Sequence, residues 1–191
     1  MSGNRMKYAF LLIAVFALIG YSGCILSPDE EVPQPQPKPT YKPLTDKENV
    51  IYNLQQCYKE HTISRYDELL DAGYKWHNQD ETFYERAKDV EQTGKLFAAA
   101  NNTYPLANLW IEKLELTIYD GTWTKIDIVD AVPCSDCWET TRDYDISARM
   151  AGGTLTYIGN DQATFIVIGI DRGGQRIYQL RHIYDLKKQP S

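Results

Sequence analysis

The chain has 191 residues, 43% hydrophobic and 24% charged, which is the length of one packed domain with appended segments. Its net charge of −6 excludes the basic footprint expected of a nucleic-acid binder and disfavours adhesion to anionic lipid head groups.

Taken in chain order, the first segment carries Arg5 and Lys7 without an acid. The unbroken apolar run Tyr8–Ile19 follows, and then the small residues Gly20, Ser22 and Gly23. A basic start, a short apolar stretch and small residues before a break describe an export signal. The run falls short of the ~20 apolar residues that span a bilayer. Ser22-Gly23-Cys24 resembles the lipobox of bacterial lipoproteins, with Tyr21 where leucine is usual. The resemblance implies cleavage after residue 23 and diacylation of Cys24. The anchor is then multi-chain, and Ile25 points to the outer membrane of a Gram-negative cell. Two or more acyl chains hold a protein stably where one is marginal. Loss of Arg5 and Lys7 with the leader takes the charge from −6 to −8. The next stretch, "ILSPDEEVPQPQPKPTYKP", is too rich in proline to build a core and is expected to be an extended tether. The reading is therefore a signal peptide at 1–23, a lipid-anchored tether at 24–44 and one folded domain at 45–191.

In "TDKENVIYNLQQCYKEH" the residues Val50, Ile51, Leu54, Cys57 and Tyr58 share one helical face, with Thr45 or Asp46 as N-cap. "SRYDELLDAGY" pairs Ser64 with Asp67 as a variant capping box, and Gly73 is expected to end that short helix. "YKWHN" (74–78) reads as a brief strand. "TFYERAKDVEQTGKLFAAANN" repeats the capping pattern with Thr82 and Glu85 and runs as a helix to Ala100. From residue 108 the period changes to two. "NLWIEKLELTIYDGTWTKIDIVDAV" holds two β-rich runs broken by Asp120-Gly121, a hairpin signal. "WETTRDYDISARM" then alternates, with Trp138, Thr140, Arg142, Tyr144, Ile146, Ala148 and Met150 on one face. The runs "TLTYI", "ATFIVIGID" and "QRIYQLRHIYDL", separated by Gly159-Asn160 and Arg172-Gly173-Gly174, complete an antiparallel meander. Helices first and a sheet afterwards is an α+β order with the helices on one sheet face.

That order resembles the nuclear transport factor 2-like (SnoaL-like, cystatin-like) fold over residues 46–187. It is carried by "NVIYNLQQCYKEHTISRYDELLD" at the front and the closing strand "RIYQLRHIYDL". The resemblance implies a curved, mostly antiparallel sheet around N-terminal helices. In different members of that family the resulting conical cavity binds a ligand, hosts an active site or is packed shut.

Pro133-Cys134-Ser135-Asp136-Cys137-Trp138 is the most conspicuous chemical feature. A redox pair needs its thiol at a helix N-terminus, and a strand follows here. Structural zinc takes four ligands, whereas His61, His77 and His182 show no metal spacing. A local Cys134–Cys137 disulfide fits an oxidising envelope. Cys57 is expected to be a buried apolar residue. Trp110, Arg142, Tyr144, Tyr178 and His182 are the candidate cavity wall, with Arg142 either snorkelling to the rim or placed to meet an anionic ligand in a pocket, and His182 either a satisfied core residue or a proton carrier. Asp143 and Asp145 fall on the polar strand face, so no base opposite an oxyanion donor stands out.

No cofactor is implied. Three functional classes follow for an anchored envelope protein. One is a non-catalytic domain that binds a small molecule or a protein. Another is a lyase or isomerase of the ketosteroid-isomerase kind with His182 as base. The third is an assembly part acting through a sheet-mediated homodimer.

Overall fold

The computed structural model describes residues 41–106, 109–152 and 156–186, the side chains at 156–158 excepted. The expected leader, Cys24 and the tether as far as residue 40 lie outside them. Tyr41–Leu44, assigned to the tether on composition, are instead tied to the body. The Lys42 N–H donates to Asn53 Oδ1 at 2.8 Å, and Asn53 Nδ2 donates back to the Lys42 carbonyl at 2.8 Å. The Leu44 carbonyl accepts from the Tyr178 N–H at 2.7 Å. Asn53 is buried, so chain groups rather than water must satisfy its amide.

Helix α1 (Lys47–Glu60) starts where Asp46 Oδ1 accepts from the Glu48 N–H at 2.8 Å, the N-cap expected from the sequence. Its buried face is the expected stripe, Val50, Ile51, Leu54, Cys57 and Tyr58, and it ends at His61 in a left-handed conformation. Helix α2 (Ile63–Leu69) differs from expectation at both ends. Thr62, not Ser64, holds the N-cap position, and Asp67 pairs with Arg86 at 2.8 Å. Gly73 does not stop the helix. The chain already turns into strand β1 (Leu70–His77), which is longer than the run at 74–78 because Leu70 and Tyr74 bury inward. Strand β2 (Phe83–Glu85) replaces the expected first turn of helix α3 (Arg86–Ala100), so Thr82 and Glu85 form no capping box.

Five strands follow: β3 (Ile111–Ile118), β4 (Thr124–Val129), β5 (Val132–Met150), β6 (Thr156–Arg172) and β7 (Gln175–Leu186). The sheet order is β2-β1-β7-β6-β5-β3, with β4 also on β5. All pairings are antiparallel except β1 with β7. Asp120-Gly121 is not a hairpin turn. β4 pairs with the first part of β5 (Thr124 opposite Glu139) and β3 with the second (Ile118 opposite Tyr144), so the two runs lie end to end along one neighbour. A Cβ on Gly121 would meet Arg142 Cγ at 2.7 Å, which is why this crossing requires glycine. The tight hairpins are elsewhere. Asp130-Ala131 joins β4 to β5 and Gly173-Gly174 joins β6 to β7, all four with positive φ, the twist a two-residue hairpin needs. Gly159-Asn160 lies inside β6 rather than at a turn.

The helices occupy the concave face of the curved sheet, the expected α+β cone. Leu114, Ala148, Phe165, Val167, Leu180 and Ile183 from the strands pack with the α1 stripe and with Phe97 of α3. Tyr58, Tyr66 and Phe97 meet edge to face, with centroids 5.2 to 6.3 Å apart. Leu180 and Ile183 both point inward although they are three positions apart, an odd spacing. A β-bulge allows this. Val167 pairs with Leu180 and Ile166 with His182, leaving Arg181 as the extra residue.

Candidate functional site

Between the helices and the concave sheet face is a cavity of about 260 Å³. Leu54 of α1, Leu116 and Ile118 of β3, Ile146 of β5, Phe165 of β6 and Ile183 of β7 give it an apolar wall, with Trp76 and Tyr84 also lining it. Its polar groups are few: Asp89 and Gln92 from α3, Asn78, Tyr144 and Asp185. A small, mostly apolar chamber with a few placed polar groups is the usual form of a small-molecule site.

Asp89 is the chemically distinctive member. It lies on the buried stripe of α3 with Thr93 and Phe97 and is 6% exposed. Its Oδ2 accepts a 2.5 Å hydrogen bond from the hydroxyl of Tyr66, which is itself buried. Burial raises the Asp89 carboxyl above the usual range, and its tyrosine neighbours offset only part of that. Such a carboxyl retains its proton to higher pH than a surface aspartate and can then donate a hydrogen bond into the chamber. A second polar point is the Tyr144 hydroxyl, which donates to Asp185 Oδ1 at 2.7 Å. Trp76 Nε1 donates to Asn78 Oδ1 at 3.1 Å. Among the described residues, no histidine, lysine or arginine lines this cavity.

Of the five expected wall residues, Tyr144 is in the wall and the others are elsewhere. Arg142 shares its strand face, yet neither the rim nor a ligand receives its charge. Its side chain is 1% exposed and its guanidinium bonds Glu48 at 2.9 and 2.7 Å, with the Trp123 ring centroid 5.2 Å away. The Arg142 bond, foremost, holds the Glu48 carboxyl below its ordinary value. Trp110, just before β3, is 36% exposed and outside the cavity lining. Tyr178 packs at the α1 N-terminal end, its hydroxyl 3.5 Å from Asp136 Oδ1. His182 is on the sheet face away from the helices, because the bulge at Arg181 inverts the alternation counted from Tyr178 and Leu180.

The Cys134–Cys137 disulfide is present, with Cα atoms 5.8 Å apart. It closes a bulge in which β5 advances from Pro133 to Cys137 while β4 advances only from Ile128 to Ile126. Cys57 is a buried free thiol that burial pushes up to about 12, which keeps it protonated and unreactive. Among the described residues, no group of three or more His, Cys, Asp or Glu side chains could hold a metal ion.

Sequence reasoning passed over Asp89. The available signal was Asp89 at i, Thr93 at i+4 and Phe97 at i+8, an acid on the same helical face as a core phenylalanine.

No protein-family model matches the chain, and no curated protein matches it. Solved structures do match. A nuclear transport factor 2-like protein of unknown function in nutrient uptake from Rhodospirillum rubrum aligns over 75% of this chain and 99% of its own, with TM-score 0.53 and 10% identity. A nuclear transport factor 2-like superfamily protein from Salmonella enterica aligns over 74% and 88%, with TM-score 0.54 and 7% identity. A hexachlorocyclohexane dehydrochlorinase from Novosphingobium barchaimii aligns over 74% and 84%, with TM-score 0.51 and 8% identity. At these identities the likeness establishes the fold, which is nuclear transport factor 2-like, and nothing finer.

Proposed function

We propose that this chain is an envelope lipoprotein whose cone binds a small, uncharged, largely apolar molecule presenting one hydrogen-bond acceptor, and that it does so without chemical turnover. The chamber carries the reading: about 260 Å³ of mostly apolar wall closed by a buried carboxyl, Asp89, held by Tyr66. An anionic ligand would meet Asp185 with no histidine, lysine or arginine among the described lining residues, an arrangement that opposes its entry. The Ser22-Gly23-Cys24 motif and the polar, proline-rich stretch after it support the anchored placement. No helix among the described residues is long and apolar enough to cross a membrane.

Asp89 also favours a second reading, a lyase or isomerase in which this carboxylate, rather than His182, removes a proton from the bound molecule. The dehydrochlorinase that shares the fold supports keeping it.

The discriminating experiment is a thermal-shift screen of the domain from Pro39 onward with matched neutral and anionic compounds that fit the chamber, followed by product analysis of every hit. Neutral carbonyl and hydroxyl compounds are expected to raise Tm and to be recovered unchanged. Hits confined to carboxylates would end the binding reading, and recovery of an eliminated or isomerised product would establish the catalytic one.

A further inference from the structure

On the sheet face away from the helices, five polar side chains meet around a pair of histidines. His182 of β7 is 1% exposed. Its Nδ1 lies 3.3 Å from His77 Nε2, and its Nε2 lies 3.1 Å from Asp130 Oδ1. Asp130, in the left-handed turn between β4 and β5, is fixed by Arg181, whose Nε and Nη2 donate to Oδ2 at 3.1 and 2.8 Å. Arg181 is tied in turn to Asp71 of β1 at 2.6 Å. His77 stacks on Tyr184, with centroids 4.1 Å apart and planes 13° apart. Lys75 is opposite His182 in the strand register, and Glu81 shares with His77 and Tyr184 a groove of about 370 Å³.

These contacts dictate where protons sit. His182 Nε2 is 3.1 Å from the Asp130 carboxylate without an aligned hydrogen bond, and a lone pair there would face negative charge, which favours the tautomer with its hydrogen on Nε2. His182 Nδ1 is then the acceptor in the neutral pair and His77 Nε2–H donates to it. A first added proton enters at His77 Nδ1 without breaking a contact. It can also shift along the pair, so that an imidazolium at His182 lies between the Asp130 carboxylate and the His77 lone pair. A second proton has no such place. It would set N–H against N–H across 3.3 Å, in a setting where Arg181 and Lys75 add further positive charge.

We propose that His77 and His182 form a one-proton site whose second protonation drives His77 off Tyr184, an acid-operated switch on the groove at the β1–β2 end of the sheet. The element that moves is the 77–85 segment. Its β2 strand is three exposed residues paired only to β1 in the sheet path, so little packing resists it. Burial acts first to depress both histidines. For His182 the Asp130 carboxylate works against that and His77 adds to it, and for His77 Lys75 adds to it while Asp130 opposes.

The test is a pH titration of the full chain in detergent, following the histidine ring and backbone signals by NMR. The pair is expected to titrate in two steps more than about one pH unit apart, the mark of coupled groups. The lower step is expected to coincide with movement of the amide signals of residues 77–85. In His77→Gln the amide can either donate to or accept from His182, so those amides are expected to stay still through the same range. Asp130→Asn, which leaves both rings in place, is expected to move the upper step to lower pH. Independent single titrations of His77 and His182, equal movement of the 77–85 amides in His77→Gln, or an upper step unmoved in Asp130→Asn would each overturn the proposal.

Discussion

Truncation of Glu48 to alanine isolates the energetics of the buried Arg142 guanidinium. Arg142 is 1% exposed in its side chain and donates two bonds to Glu48, at 2.9 and 2.7 Å, while its Nε donates to Thr140 Oγ1 at 3.2 Å. Removing one partner of a fully buried pair costs about 3–5 kcal/mol. Glu48 itself is 52% exposed, so water can follow the missing carboxylate to the guanidinium, and solvent screening lowers the expected cost to about 2 kcal/mol. The reverse substitution, Arg142→Met, leaves a carboxylate that water can solvate, so it should cost less, on the order of 1 kcal/mol. Urea unfolding measures both. With m near 2 kcal/mol/M for a domain of this size, Glu48→Ala should lower the midpoint by about 1 M, and in the Arg142→Met background it should lower it by no more than about a quarter of that. The sign with pH is fixed as well. The Glu48 carboxyl is depressed in the fold, so its stabilisation is full above the unfolded value near 4.3 and is lost as pH falls through the folded value. A Glu48→Ala cost that is the same with and without the Arg142 charge would refute the reasoning.

Asp89→Asn should become increasingly stabilising relative to the parent as pH rises above the unfolded aspartate value near 3.9, because the folded carboxyl is raised and its ionisation counts against folding. Thermal melts from pH 4 to 8 check this, and a stability gain larger at pH 4 than at pH 8 would contradict the assigned direction. Gly169→Ala places a Cβ against the Asp136 carboxylate and Arg176 Nε. Both are ends of side chains that can swing aside, so displacement of that partly exposed pair should cost about 1 kcal/mol or less, read as a slightly lowered urea midpoint. Cys24→Ala should release the protein from membranes, and continued co-sedimentation after an alkaline wash would rule out acylation as the anchor.

The α1 face and the long β5 alternation were legible because each repeats its period over many residues and each buries one side only. Partner choice was less legible. Asp120-Gly121 carries a hairpin's residue types, but β3 and β4 both find β5, and nothing local in "YDGTW" encodes a third strand. His182 shows how one inserted residue defeats counting. The alternation from Tyr178 through Leu180 points it inward, and the bulge at Arg181, invisible in composition, turns it outward. Arg142 was placed on the correct face, yet its partner Glu48 is 94 residues away and reads locally as an ordinary first-turn acid. Asp89 was missed for the opposite reason. Its helical position was readable, but its burial depends on Tyr66, brought near it by the way α2 packs on α3.

The parallel pairing of β1 with β7 places the last strand in chain order between β1 and β6. Until residues 175–186 emerge, β1 and β2 have no route to the remainder of the sheet, and the helices have an incomplete surface on which to settle. The sheet of the described residues is therefore incomplete in any shorter nascent chain, and closing it joins segments about a hundred residues apart, a non-local pairing of the kind that slows folding.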